Sequence, residues 1–378
     1  MRRHQIGVRT STTGVALTAN PAAIIGRLGW ARNNMLRLIM ALALVCAARA
    51  SHAQTVLATT AGPLEIVGLM QWSVAQLQDS LAKYAPGESL QSHACAAVLQ
   101  RLGFPAVAVT LFQAAEKSGD STIVTIVEPW LASQVQFRVV GTSRRLARES
   151  PRWRALYARY PTGSFRSNDA NDLIRFAALV RRNGLDSAVR MWKQRRDTVA
   201  VLPRYHAFLQ LADATQLDQA ARQLASGTVQ DRLLGTALLV QHAADDRAWH
   251  LVMRALRDPD PGVRGVARSV LLWLRLDYAR RVNWTGATAD VRALLGGTNV
   301  WVFVDVMATL VATHVSPSLA APLLAQNGTM VLAHVHAQFP QASVPATMLL
   351  QQLSDQRTIT GAGWEAWIVS LLRPPRRA

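Results

Sequence analysis

Apolar residues recur at spacings of three and four through most of the chain, and one stretch shows the pattern at full strength. From Pro261 to Leu274, the residues Val263, Val266, Ala267, Val270, Leu271 and Leu274 fall on one helical face. Asp260 precedes them as a cap whose carboxylate can accept from the free N–H groups of the first turn, and Pro261 fits the first helical position, where no N–H is needed. Beyond residue 200 this unit has relatives. Candidate first-helix caps fall at Thr228, Asp260, Asn299, Thr329 and Thr360, at steps of 32, 39, 30 and 31 residues. An insertion at Asp277–Trp284 accounts for the long step. Second helices are predicted to start near Asp245, Thr288, Ser316 and Ser343, and a final helix, Trp364–Leu372, closes the series. Helical pairs at a period of about 30–40 residues predict an α-solenoid, in which each pair buries its apolar stripe against its neighbours. A preceding helix capped by Asn168 carries Leu173, Ile174, Ala177 and Val180, and Leu185–Trp192 supplies its partner.

Between Pro63 and Arg138 the period changes several times. Leu64–Val67 is a short β-branched run closed by Gly68. Ser73 caps a helix with Val74, Leu77, Leu81 and Tyr84, and Pro86-Gly87 breaks the chain. Ser89 caps a second helix with Leu90, Ala94, Val98 and Leu102, ended by Gly103. Two strand-like runs follow, Val107–Phe112 and Ile123–Val127, joined by a turn at Glu116–Asp120. The predicted order is β-α-α-β-β.

Both regions resemble known families. Leu251, Leu256, Asp258-Pro259-Asp260, Val263-Arg264, Ala267 and Leu271 follow the pattern L-x4-L-x-D-P-D-x2-V-R-x2-A-x3-L, which is similar to a HEAT repeat. The other units keep the period and the caps but lose this signature; Phe303 stands where Arg264 would align. The β-α-α-β-β region, with Gly68, Pro86-Gly87, Leu102-Gly103-Phe104 and Val127-Glu128, resembles a POTRA domain. That resemblance implies an envelope module that binds partner chains by offering a sheet edge, although no run of alternating barrel strands follows here. The fold class expected is therefore mainly α: a HEAT-like solenoid of helical pairs preceded by a small α+β domain. The expected divisions are residues 1–53, 54–140, 141–200 and 201–378.

The start of the chain adds a compartment. Met35-Leu-Arg37 precedes an apolar run from Leu38 to Ala48 and small residues at Ser51 and Ala53, the layout of a secretory signal peptide cut after Ala53. The 34 residues before Met35 hold five arginines and no acid, so either Met35 is the true start or the charged region is long. Val45 before Cys46 argues against lipid attachment. Cleavage leaves Cys95 as the single cysteine, unable to form an internal disulfide and expected to pack as a small hydrophobe.

The net charge is +18, of which seven arginines lie in residues 1–53; the remainder carries 34 basic against 23 acidic residues, a net +11. The same excess of 11 lies within residues 138–196, which hold 15 basic and 4 acidic groups. The connector Gly141–Arg159 concentrates Arg144, Arg145, Arg148, Arg152 and Arg154 among Leu146, Trp153, Leu156 and Tyr157. These arginines are candidate contacts to anionic lipid or phosphate, and a solvated helix face beside the first packed helix is the favoured alternative.

No motif announces catalysis: G-x4-G-K-[ST], H-E-x-x-H and G-x-S-x-G are absent. His314, His334 and His336 are the histidines worth testing for metal, yet His334 and His336 diverge on a helix. Asp245-Asp246 and the Asp258/Asp260 pair open helices, where carboxylates favour the dipole. The tryptophans are scattered and read mostly as core. Neither cofactor nor metal is expected. The expectation is a non-catalytic exported scaffold in the bacterial envelope whose partners are envelope or outer-membrane proteins, with an anionic lipid surface as a further contact. The partner-binding candidates are Val107, Val109, Leu111, Ile123, Thr125 and Val127, and the repeat-structural residues are Asp258, Asp260 and Arg264. The alternatives are a cytoplasmic nucleic-acid-binding repeat protein and an enzyme whose site is not readable from sequence.

Overall fold

The computed structural model describes residues 54–59, 62–112, 120–141, 151–159, 165–195, 202–356, 358–359 and 361–372. The expected signal segment, Arg144, Arg145, Arg148, Glu116–Gly119 and Thr360 lie outside the described residues. The protein is mainly helical with a small four-stranded mixed sheet near its N-terminal end. No single described helix is long and apolar enough to cross a membrane.

The sheet is built from β1 (Gln54–Thr59), β2 (Gly62–Val67), β3 (Ala106–Phe112) and β4 (Ser121–Val127), in the order β1-β2-β4-β3. β1 and β2 form an antiparallel hairpin, β2 runs parallel to β4, and β3 pairs antiparallel with β4. Two helices, α1 (Val74–Tyr84) and α2 (His93–Arg101), connect β2 to β3. The β-α-α-β-β order is thus present, with an additional strand, β1, before it. The α1 cap is as predicted: Ser73 Oγ accepts from the Gln76 N–H at 3.2 Å, and the Gln76 side chain answers the Ser73 N–H. The α2 cap is Ser92 and not Ser89, because Ser89 closes a turn with the Ser92 N–H before the helix begins. Gly68 ends β2 at φ +98°, where a Cβ would meet the Ile126 carbonyl oxygen at 2.1 Å, so only glycine fits.

Helices follow in long succession: α3 (Pro151–Tyr157), α4 (Ser167–Asn183), α5 (Leu185–Arg195), α6 (Leu202–Ala214), α7 (Leu217–Leu224), α8 (Val229–Leu238), α9 (Asp246–Ala255), α10 (Pro261–Tyr278), α11 (Thr288–Leu295), α12 (Phe303–Ala312), α13 (Ala320–Leu324), α14 (Thr329–Val335), α15 (Pro340–Ser354) and α16 (Ala362–Leu371). The predicted stripe on α10 is fully buried, and Asp260 Oδ1 accepts from the Val263 N–H at 3.0 Å. Asp245 caps α9 in the same way. Other caps differ. Asn299 turns its side chain to the Leu256 carbonyl (3.0 Å) and ties two units together instead of capping. α4 starts at Ser167, one residue before Asn168, and Asp169 accepts from the Arg166 N–H. α14 starts at Thr329 itself after Gly328, and α15 begins at Pro340, ahead of Ser343.

Strand alternation assigns the two faces of the sheet. Val107, Val109, Val124 and Ile126 are cross-strand neighbours facing α1 and α2, in a core with Leu77, Leu81, Leu99 and Phe104. Ala106, Ala108, Val127 and Ile123 face the helical succession, the first three in one core with Val300 and Val302. Ile123 and Val67 pack on Ala333, Ala337 and Ala342. Residues His52–Ala378 accordingly form one compact unit. The boundary expected at residue 140 is not a break in packing: the sheet is a middle layer covered on both faces.

Two buried carboxylates fix this layering. Glu65 on β2 accepts from the N–H groups of Gln338 (2.5 Å) and Phe339 (2.8 Å), supplying the first turn of α15 with the cap that Ser343 does not provide. Glu128, just past β4, accepts from the N–H groups of Met70, Gln71 and Trp72 and from Trp130 Nε1, and so holds the loop between β2 and α1.

Candidate partner-binding site

The six sequence candidates divide at once. Ile123, Thr125 and Val127 lie on β4, whose two edges are both paired, to β2 and to β3. Their strand cannot offer an edge, and their side chains face the helices. They are removed as partner contacts because the sequence did not reveal that β2 would pair parallel beside β4. Val107, Val109 and Leu111 lie on β3, at the end of the sheet. Val107 and Val109 are buried, while Leu111 is 55 % exposed. β3 therefore contributes its outer backbone: among the described residues none bonds to that edge. The opposite edge, β1, was not foreseen. Its run Gln-Thr-Val-Leu-Ala-Thr has few apolar positions, and it directly follows the expected cleavage point.

Ala106 and Val107 point to opposite faces of the sheet, yet both line one cavity of about 290 Å³. A space reached from both faces looks onto the strand's edge. Gln100 of α2 forms one wall, while Pro261, Arg264 and Thr298–Trp301 form the other. The start of the β3 edge is thus the floor of a cleft between the two covering layers. Phe137 also lines this cleft; it is 42 % exposed, and Trp301 is 40 % exposed. The Arg264 guanidinium lies 4.9 Å from the Phe137 ring centre, and that of Arg268 lies 4.4 Å from the Trp301 ring.

Phe137 belongs to the extended segment Val135–Gly141, which runs from the sheet across the ends of the helices. The Gln136 N–H donates to Thr298 Oγ1 (3.0 Å), Arg257 Nε donates to the Gln136 carbonyl (3.0 Å), and the Arg138 N–H donates to the Arg257 carbonyl (2.8 Å). The Arg138 side chain ends on Asp258 and on the Leu224 carbonyl. Burial lowers the Arg138 pKa, and Asp258 opposes that shift. Asp258 is fully buried and also accepts from Arg232 Nε (2.9 Å) and NH2 (3.1 Å), a guanidinium only 3 % exposed. Arg264 closes the same turn by donating to the carbonyls of Asp258 and Pro259. The three repeat-structural candidates thus meet at one turn, joined by Arg232 and Arg138.

No family model, curated protein or solved structure matches this chain. The reading of the site rests on its geometry alone.

A second cleft lies on the other side of Phe137, lined by Arg138, Arg247, His250, Arg254, Arg257 and Asp290 among others. Its cations are largely committed: Arg254 and Arg257 to Asp290, Arg247 to Asp218, and Arg138 to Asp258. Of the connector arginines within the described residues, Arg152 and Arg154 are exposed on α3, whose Trp153 and Leu156 are fully buried. That is a solvated face on a packed helix.

The titratable residues singled out for chemistry are dispersed. Cys95 is buried against the sheet, and burial pushes its thiol up to about 11, so it carries little thiolate at neutral pH. His334 is buried, stacks on Phe303 at 4.3 Å, and bonds the Met330 carbonyl through Nδ1. Burial pulls its pKa down to about 4. His336 lies beside Glu365, and His314 lines a separate cleft with Arg281 and Asp355.

Proposed function

We propose that this protein is a non-catalytic exported scaffold of the bacterial envelope that captures extended segments of partner proteins along the β3 edge. The observation that carries the reading is that edge: unpaired backbone at the floor of a cleft between two packed layers. Free N–H and C=O groups there can add a strand, and the overhanging layers restrict what can approach. Export agrees with β1 beginning at Gln54, since a cut after Ala53 removes no described element.

The helical part is read as a HEAT-like array. Support comes from a ladder of ion pairs between successive units. Arg232 reaches Asp258, Arg257 reaches Asp290 at 2.5 Å, and Arg268 reaches Asp305 at 2.7 Å, with Asp258 and Asp290 separated by 32 residues. In this reading the array is a rigid mount, and the α1–α2 sheet layer, POTRA-like in its order, is the binding element.

Of Thr110 and Leu111, consecutive on the edge strand, one points its N–H to β4 and the other outward. Thr110→Pro and Leu111→Pro should therefore differ. The variant at the outward amide keeps its circular dichroism and melting temperature and loses binding to extended peptides. Unchanged binding in a folded variant of that kind excludes the β3 edge.

A further inference from the structure

The edge reading leaves open which side chain the captured segment presents beside β3, and the cleft at its start restricts the choice. Its volume, about 290 Å³, falls at or below the lower end of small-molecule pockets and suits one large side chain. Two half-exposed rings, Phe137 and Trp301, border it, and each is approached by a guanidinium, from Arg264 and Arg268. Those guanidiniums already have oxygen partners. Arg268 is paired with Asp305 at 2.7 Å, and Arg264 donates to two backbone carbonyls. An entering carboxylate would compete with these partners, and an entering ammonium would face two cations. An aliphatic side chain would fill the space without using the ring faces. A ring makes offset or edge-to-face contacts with Phe137 and Trp301 and adds a further surface for the guanidiniums.

We infer that this pocket receives an aromatic side chain of an extended segment lying along β3, so that the protein selects strands carrying Phe, Tyr or Trp at one position. The inference rests on the edge reading and adds to it a specificity-determining pair, Phe137 and Trp301. Neither residue lies on the edge strand, so replacing them leaves the strand's backbone groups in place.

The test is to pan the full chain against phage-displayed octapeptides randomised at all positions, then to measure the affinities of the selected peptides as synthetic probes. The expected outcome is enrichment of an aromatic residue at one position and about three- to tenfold weaker binding when it is replaced by Leu. In Phe137→Ala and Trp301→Ala proteins that difference should collapse while residual binding persists. Methylating alternate backbone amides of a probe separates the two claims without altering the protein. One of the two methylation registers must abolish binding if the peptide is added as a strand. Register-sensitive peptides with no aromatic preference, or with a preference unmoved by Trp301→Ala, overturn the pocket and leave the edge standing. Peptides insensitive to both registers, or no selectable peptide at all, overturn both.

Discussion

At β2 the sheet is sealed to the helices, and at β3 it stops with its backbone open. The sealed side uses small and charged residues together. Ala333, Ala337 and Ala342 let the helices approach Val67 and Ile123, and Glu65 spends its buried carboxylate on two N–H groups of the α15 start. Every such group inside the junction must find a partner, because an unpaired one costs about 1–3 kcal/mol. The open side meets no such demand. Water satisfies the outer amides of β3 until another strand does. The difference teaches that the two covering layers position the sheet by its faces and leave one edge available. A sheet held on both faces is also a rigid template.

If that contrast is right, damage to the mount should cost stability and damage to the edge should cost binding. The largest effect is expected at the ladder. Asp258→Asn leaves Arg232 and Arg138 buried without their counter-charge and should destabilise by about 3–5 kcal/mol in urea unfolding. Gly68→Ala forces a side chain against the Ile126 carbonyl and should come next, with a loss of about 2–4 kcal/mol or failure to fold. Glu65→Ala strands the α15 amides and should cost about 2–3 kcal/mol, with hydrogen exchange rising first at the start of α15.

Acid provides a graded test of the sealed side. The folded His334 pKa, about 4, lies below its unfolded value, so between pH 6.5 and 4 the unfolded chain binds the extra proton. His334 thus favours folding fully above pH 6.5, and that stability is lost as pH falls toward 4, about 3 kcal/mol in total. His334→Phe should flatten that part of the stability profile; an unchanged slope would mean that other groups produce it. The smallest stability effects belong to the open side. Phe137→Ala and Trp301→Ala should each cost about 1 kcal/mol or less, since both rings are already half in water.

Much of this architecture could be read from residue patterns. The stripe on α10, its Asp260 cap, the Ser73 capping box and the β-α-α-β-β order all depend on neighbours close in sequence. Local rules failed wherever a partner came from far away. Ser343 looked like a cap, but the true cap is Glu65, more than 270 residues earlier. Asn299 looked like a cap and reaches back to Leu256 instead. β4 looked like a candidate edge because its burial by β2 depends on a parallel crossover that no periodicity announces. Phe137 and Trp301 carried no motif; their only signal was an apolar ring beside a break in the helical pattern. Arg232 was visible as the residue 32 before Arg264, though its bond to Asp258 was not.

The most direct test of the central claim is amide hydrogen exchange of the full chain, alone and saturated with a peptide selected on it. Strand addition at β3 predicts slowed exchange concentrated at the outward amides of Ala106–Phe112, with α10, α11 and β1 unchanged. Protection at β1, or spread over the helical surface with β3 unaffected, would contradict it.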